Sequence, residues 1–184
     1  MHLHFRIAGV ICGMGEIGWS KIFLTPEFGP RQRLNFVFTD AELEPDPILE
    51  PSLCNQCGAC SRCCPAEAIP RDDAETVTIA GKEMSWCNLR EGRCGIGFQA
   101  ANPQLNPFLH GGLGPAEPNR TLVRDALNGP DTPEQDKYCG HIGRQLQQTF
   151  PYSQTNMQYL NHPATTCGAA CMRECMIQLE KRGV

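Results

Sequence analysis

No run of apolar residues in this chain approaches the roughly 20 that a membrane-spanning helix requires; the longest lies around Ile7 to Cys12. That stretch is also too short for the apolar core of a secretory signal. The expectation is therefore a cytoplasmic protein with no membrane partner. Positive charge is not in excess either. Sixteen Lys and Arg against 20 Asp and Glu leave a net charge of -4, with a pI near 5.7, so nucleic acid has no electrostatic footing as a partner. Histidine is scarce, at five residues, and His2 and His4 sit at a terminus, where fraying argues against a metal site.

What the chain has in quantity is cysteine, 12 in 184 residues, within an ordinary 41% hydrophobic content. Disulfide, metal or redox chemistry must account for it. A reducing cytosol disfavours disulfides, and the spacing disfavours them again. Cys54, Cys57 and Cys60 recur every third residue and Cys63 adjoins Cys64, which is cramped for independent bridges but suits thiolates converging on one centre. Cys54, Cys57, Cys60 and Cys64-Pro65 match C-x2-C-x2-C-x3-C-P, the iron-sulfur run in which three thiolates wrap one cubane and the fourth reaches a neighbouring cluster. Structural zinc generally uses two separated pairs instead. Cys63, between two ligands, reads as a buried thiol outside the ligand set.

A second cluster needs further thiolates. Cys167, Cys171 and Cys175 form a C-x3-C-x3-C series that shares one face of a helix. Such a series can equally be a core stripe, with Met172 and Leu179 in support. Beside a ferredoxin run whose fourth cysteine lacks companions, ligation is the better reading. Cys87, Cys94 and Cys139 then compete for the remaining place, and spacing alone does not choose among them.

Along the chain, residues 1–50 read as a βαβ-like fragment: a strand over Phe5 to Ile11, a turn over Gly13 to Gly18, a short helix over Trp19 to Leu24 and a strand over Leu34 to Thr39. An acidic, proline-punctuated linker (Glu44, Pro45, Asp46, Pro47, Pro51) places a boundary near residue 50. Residues 51–184 form the cysteine-bearing part, with a short helix from Pro65, a brief strand over Thr76 to Ile79 and an insertion over about 99–164. Within that insertion Asn102 to Asn128 is rich in Gly, Pro and Asn and predicts a long loop. Thr132-Pro133-Glu134-Gln135 predicts a helix start running to about Gln148. A last helix runs from Thr165 or Thr166 towards Lys181, with Gly183 as its stop. Gly13, Gly15 and Gly18 also spell G-x-G-x-x-G, with Asp40 about twenty residues on, the dinucleotide pattern. Pro26, Gly29 and Pro30 cut the intervening helix too short for a crossover, so NAD or FAD is set aside. The same glycines leave two readings, a close contact with a large ligand such as a corrinoid and a plain tight turn.

Gly13-Met14-Gly15-Glu16-Ile17-Gly18, Thr25-Pro26-Glu27-Phe28-Gly29-Pro30-Arg31, Thr39-Asp40 and Leu43-Glu44-Pro45-Asp46, followed by the ferredoxin run, resemble the epoxyqueuosine reductase and reductive dehalogenase family. These are cobalamin-dependent reductases with two clusters. Leu89-Arg90-Glu91-Gly92-Arg93-Cys94 is similar to the family's lone cysteine segment. The resemblance implies one [4Fe-4S] cluster on Cys54, Cys57, Cys60 and Cys175, and a second on Cys64, Cys94, Cys167 and Cys171. Two departures stand out: both gaps of the last group are three residues, and Met176 replaces the family's proline after Cys175. The resemblance also implies that a catalytic, corrinoid-holding half is missing: either a separate subunit provides it, or the gene product is incomplete, or the module serves purely for electron transfer. The overall expectation is an α+β, bacterial ferredoxin-like two-cluster protein that carries electrons to or from a redox partner protein under anaerobic conditions. It is either an electron-transfer module or the cluster-bearing portion of a corrinoid-dependent oxidoreductase. A zinc-stabilised interaction domain is the rival from another class.

Overall fold

A computed structural model describes residues 3–50, 52–98, 117–149 and 168–184. Two compact units alternate along the sequence: Met1–Cys60, Arg71–Asn88 and Met172–Val184 make the first, and Ser61–Pro70 with Leu89–Cys171 the second. Residue 50, where the composition shifts, lies inside the first unit.

The first unit opens with a helix, α1 (Phe5–Ile11), where the apolar run predicts a strand. Periodicity cannot assign so short a run, and the ends decide it. The His4 side chain accepts from the Ile7 N–H at 3.3 Å. At the other end Gly13 adopts φ +70°. Its N–H reaches the Val10 carbonyl at 3.0 Å and that of Met14 reaches Gly9 at 3.1 Å, the paired bonds of a Schellman stop. Gly13 thus ends a helix, whereas the dinucleotide pattern needs a strand before it.

A hairpin follows, β1 (Glu16–Ile17) paired antiparallel with β2 (Phe23–Leu24), in place of the expected helix over Trp19 to Leu24. Gly15 is required here, because a Cβ on it would stand 1.9 Å from the Leu24 carbonyl oxygen. Leu34 to Thr39 joins no ladder among the described residues. The N-terminal piece is therefore helix and hairpin, not βαβ. Farther on, β3 (Ala74–Ile79) pairs with β4 (Lys82–Cys87), extending the strand expected over Thr76 to Ile79. Ala80 and Gly81, at φ +51° and +83°, form the two-residue loop with both φ values positive that matches strand twist. Val10, Ile17, Phe23, Met84 and Trp86 are buried together, each burial stabilising by about 1.5–3 kcal/mol.

The second unit is helical. It contains α3 (Glu91–Phe98), α4 (Glu117–Leu127) and α5 (Pro133–Thr149), the last starting as expected with the Thr132 hydroxyl accepting from the Gln135 N–H at 3.2 Å. The short helix α2 lies at Ala59–Arg62 rather than after Pro65. Helix α4 occupies the end of the expected loop over Asn102 to Asn128, the earlier part of which lies outside the described residues. Ile96, Val123, Ala126, Cys139 and Ile142 form the core. The Asp136 carboxylate accepts from the Gly92 and Arg93 N–H groups at 3.0 and 2.9 Å, satisfying donors that a helix start leaves open. Arg93, 6% exposed, donates to the Leu127 and Gly129 carbonyls at 2.9 and 2.8 Å, closing the C-terminus of α4. The last helix, α6 (Gly168–Arg182), stops at Gly183 with φ +71°, as expected.

A Cβ on Gly92 would stand 1.7 Å from the Asp136 carbonyl oxygen, while one on Gly95 meets nothing within 4 Å. Gly92→Ala is expected to lose about 1–3 kcal/mol of stability, and Gly95→Ala to gain about 0.4–1 kcal/mol, in urea denaturation. Equal stabilities for the two variants would contradict the close approach of α3 to α5.

Candidate metal centre

In the first unit Cys54, Cys57, Cys60 and Cys175 line one concavity of about 440 Å³, part of it open to solvent. Local backbone geometry shapes the cysteine loop. Gln56 and Gly58 adopt φ +54° and +70°, left-handed conformations that curl the chain between successive thiols. A Cβ on Gly58 would lie 2.9 Å from the Arg71 guanidinium carbon, which packs over the turn. Cys175 arrives from α6, with Leu179 one turn on and Arg182 two turns on along the same face. Leu24, Leu53 and Leu179 are buried together beneath, with Cys54 and Cys175 packed against them. The Trp19 N–H donates to the Cys54 sulfur at 3.3 Å, the kind of backbone bond that tunes a cluster thiolate.

A buried carboxylate holds the first cysteine in place. Glu16 is 2% exposed and accepts from the Cys54 N–H. It also accepts from the Ser52 hydroxyl at 2.9 and 2.8 Å and from the Lys82 ammonium at 3.1 Å. Lys82 in turn donates to the Leu49 carbonyl at 2.7 Å. The arrangement ties β1 and the start of β4 to the chain just before the cysteine loop. The sequence reading names none of these partners; a glutamate between Gly15 and Ile17 in an apolar hairpin was the available signal, since Glu is almost never fully buried unless paired.

In the second unit Cys64 and Cys94 are neighbours. Burial pushes the Cys94 thiol up to about 11, with the nearby Cys64, Glu91 and Asp136 adding to it. The Ala68 N–H donates to the Cys64 sulfur at 3.3 Å. Cys171 is half-buried and belongs to the same unit, whereas Cys167 lies outside the described residues. Of the competing cysteines, Cys139 is buried in the helical core and donates to the Ala126 carbonyl at 3.3 Å, and Cys87 is fully buried at the end of β4. Cys63 is half-buried. None of the described cysteines forms a disulfide.

Cys175 is raised to about 12 by burial, then by Cys54, Cys60 and Cys57, with Arg182 opposing. A thiol so placed holds its proton at neutral pH until a metal displaces it, so loading this site releases protons. Among the described residues no group of three or more His, Cys, Asp or Glu side chains is placed to hold a metal ion. Zinc with 2.3 Å bonds to sulfur would hold its thiolates about 3.8 Å apart, whereas a cubane gives each thiolate its own iron and needs a wider ring. Soft donors ringing a partly apolar concavity fit an iron-sulfur cluster.

The glycines suit internal packing. A Cβ on Gly13 would stand 2.5 Å from the Pro47 carbonyl oxygen, and one on Gly18 3.0 Å from the Leu24 side chain. With Gly15 against Leu24, the close approach each permits is to the protein's own chain. No helix among the described residues is long and apolar enough to cross a membrane.

Comparison with known proteins finds relatives over part of the chain. Tetrachloroethene reductive dehalogenases of Desulfitobacterium hafniense and Dehalobacter restrictus are each 39% identical to it over 66 residues, 34% of this chain and 12% of theirs. The tetrachloroethene reductive dehalogenase of Sulfurospirillum multivorans is 40% identical over 86 residues, 43% of this chain and 17% of its own. The matched stretch thus spans less than a fifth of each relative. No family model matches, and no solved structure matches. The chain is related over this stretch to reductive dehalogenases, which supports a reductase-related role.

Lys82→Met would leave the Glu16 carboxylate buried without its counter-charge and is expected to cost about 3–5 kcal/mol. Glu16→Gln combined with Lys82→Met should recover part of that loss. Urea denaturation of both variants checks this, and a loss under about 1 kcal/mol for Lys82→Met, the range of an exposed pair, would contradict the burial.

Proposed function

We propose that this chain carries electrons through two [4Fe-4S] clusters, as the cluster-bearing part of a reductase of the reductive dehalogenase type. One cluster sits on Cys54, Cys57, Cys60 and Cys175, the second on Cys64, Cys94, Cys167 and Cys171, within an α+β ferredoxin-like arrangement. The observation that carries the reading is the placement of Cys175, more than a hundred residues distant in sequence, in the same concavity as the three cysteines of the ferredoxin run. The division into two compact units supports it, since one holds Cys54, Cys57, Cys60 and Cys175 and the other Cys64, Cys94 and Cys171.

A bound cluster supplies one-electron storage and transfer. The chain's own residues do the rest. Four thiolates fix its position, the Trp19 N–H bonds one of them, and the Glu16–Lys82 pair fixes the backbone at Cys54. Leu24, Leu53 and Leu179 exclude water from one side and lower the local dielectric. In this reading cobalamin and the groups acting on substrate are held by other polypeptide, such as a separate subunit, and a redox partner protein delivers electrons. Partial relationship to tetrachloroethene reductive dehalogenases supports the reductase assignment.

Anaerobically purified protein is expected to contain about eight iron and eight acid-labile sulfide per chain, two cubanes' worth. Cys175→Ala should fall to about four of each, while Cys63→Ala keeps the full content. Unchanged iron in Cys175→Ala, or zinc without sulfide in the unmodified protein, would overturn the proposal.

A further inference from the structure

We infer that the Arg182 guanidinium sets the reduction potential of the cluster in the first unit, favouring the reduced state by its uncompensated positive charge. The inference rests on the cluster assignment proposed above. Apart from the cysteines, Arg182 is the one ionisable side chain among the described residues that line the concavity. Its position follows from helical spacing, because Cys175, Leu179 and Arg182 stand at i, i+4 and i+7 of α6 and share a face. The side chain is anchored, with Nη1 donating to the Leu53 carbonyl at 2.6 Å. That carbonyl belongs to the residue immediately before Cys54, so the charge is held beside both ends of the ligand set.

The other charges near Cys54 do not act in the same way. Glu16, bonded to the Cys54 N–H, has Lys82 at 3.1 Å, so the two largely cancel at a distance. Arg182 makes no ion pair with a carboxylate among the described residues. A [4Fe-4S] cluster with four thiolates carries net negative charge. Taking one electron from a low-potential one-electron donor adds one more unit, with no bond to the protein made or broken and no proton required. A fixed cation therefore stabilises the reduced form more than the oxidised one. Arg182 is exposed but its Nη1 is held on the Leu53 carbonyl, so solvent and salt screen the effect and keep it small.

The test is an EPR-monitored redox titration of the anaerobic holoprotein against Arg182→Gln and Arg182→Lys, with iron and sulfide counted in each. In R182Q the one-electron reduction equilibrium of one cluster is expected to weaken by about threefold to tenfold. At 59 mV per tenfold for a one-electron couple, its midpoint should fall by about 28–59 mV. R182K, which keeps the charge and loses the planar fork, should stay near the unmodified value. An unchanged midpoint in a fully loaded R182Q would overturn the inference while leaving the cluster assignment standing. So would R182K shifting as far as R182Q, because the hydrogen-bonding fork and not the charge would then matter. If R182Q loses iron, Arg182→Met is titrated in its place, and loss of iron from both would assign Arg182 to holding Leu53 and overturn the inference. Absence of iron and sulfide from the unmodified protein would overturn the cluster assignment, and the inference with it.

Discussion

A carboxylate taken out of water must be neutralised and hydrogen-bonded, or it unfolds what surrounds it. Glu16 meets that demand with partners drawn from two other parts of the chain: Ser52 and the Cys54 N–H at the start of the cysteine loop, and Lys82 at the start of β4. Lys82 spends a second donor on the Leu49 carbonyl. Satisfying one side chain therefore fixes where the first hairpin, the linker and the second hairpin meet. The consequence falls on Cys54, whose backbone nitrogen is one of the donors. Pairing of this kind does not add much to stability over a hydrophobic replacement. Its value here lies in register: the first ligand of the cysteine loop is held from behind, and Trp19 reaches its sulfur.

From Cys54 onward the chemistry is a matter of gathering thiols that sequence keeps apart. Left-handed turns at Gln56 and Gly58 bring Cys54, Cys57 and Cys60 round the concavity, and α6 supplies Cys175. Burial first, and then the neighbouring thiols, raise Cys175 to about 12 and Cys94 to about 11. A metal centre relieves that conflict by replacing the protons. Binding and folding are coupled on this view, and Leu24, Leu53 and Leu179 make up only a small apolar base for a loop-rich region.

Much of the candidate site was legible because cluster ligation is a spacing rule. The C-x2-C-x2-C run brings three thiols together without knowledge of the fold, and i, i+4 spacing puts Cys171 and Cys175 on one helix face. The elements around it were less legible where two physical signals compete. Phe5 to Ile11 reads equally as strand or helix, and the Gly13 stop, taken for a turn before a helix, was the discriminating feature. The second hairpin was half seen because Ala80-Gly81 lacks the Asn-Gly or Asp-Gly signature of its turn type. Helix α4 was hidden by Pro and Asn in Glu117–Leu127, whose apolar side still packs into the core through Val123 and Ala126. Glu16 and Lys82 could not be paired from sequence, being 66 residues apart. Thr132 and Gly183 were read correctly because capping chemistry is local.

The central claim is that Cys54, Cys57, Cys60 and Cys175 hold an iron-sulfur cluster in one concavity, and anomalous diffraction at the iron edge from anaerobically grown crystals tests it most directly. The account predicts a compact iron peak bounded by the sulfurs of those four cysteines. A concavity without iron, or a lone zinc ion bound by a subset of the thiols, would contradict it.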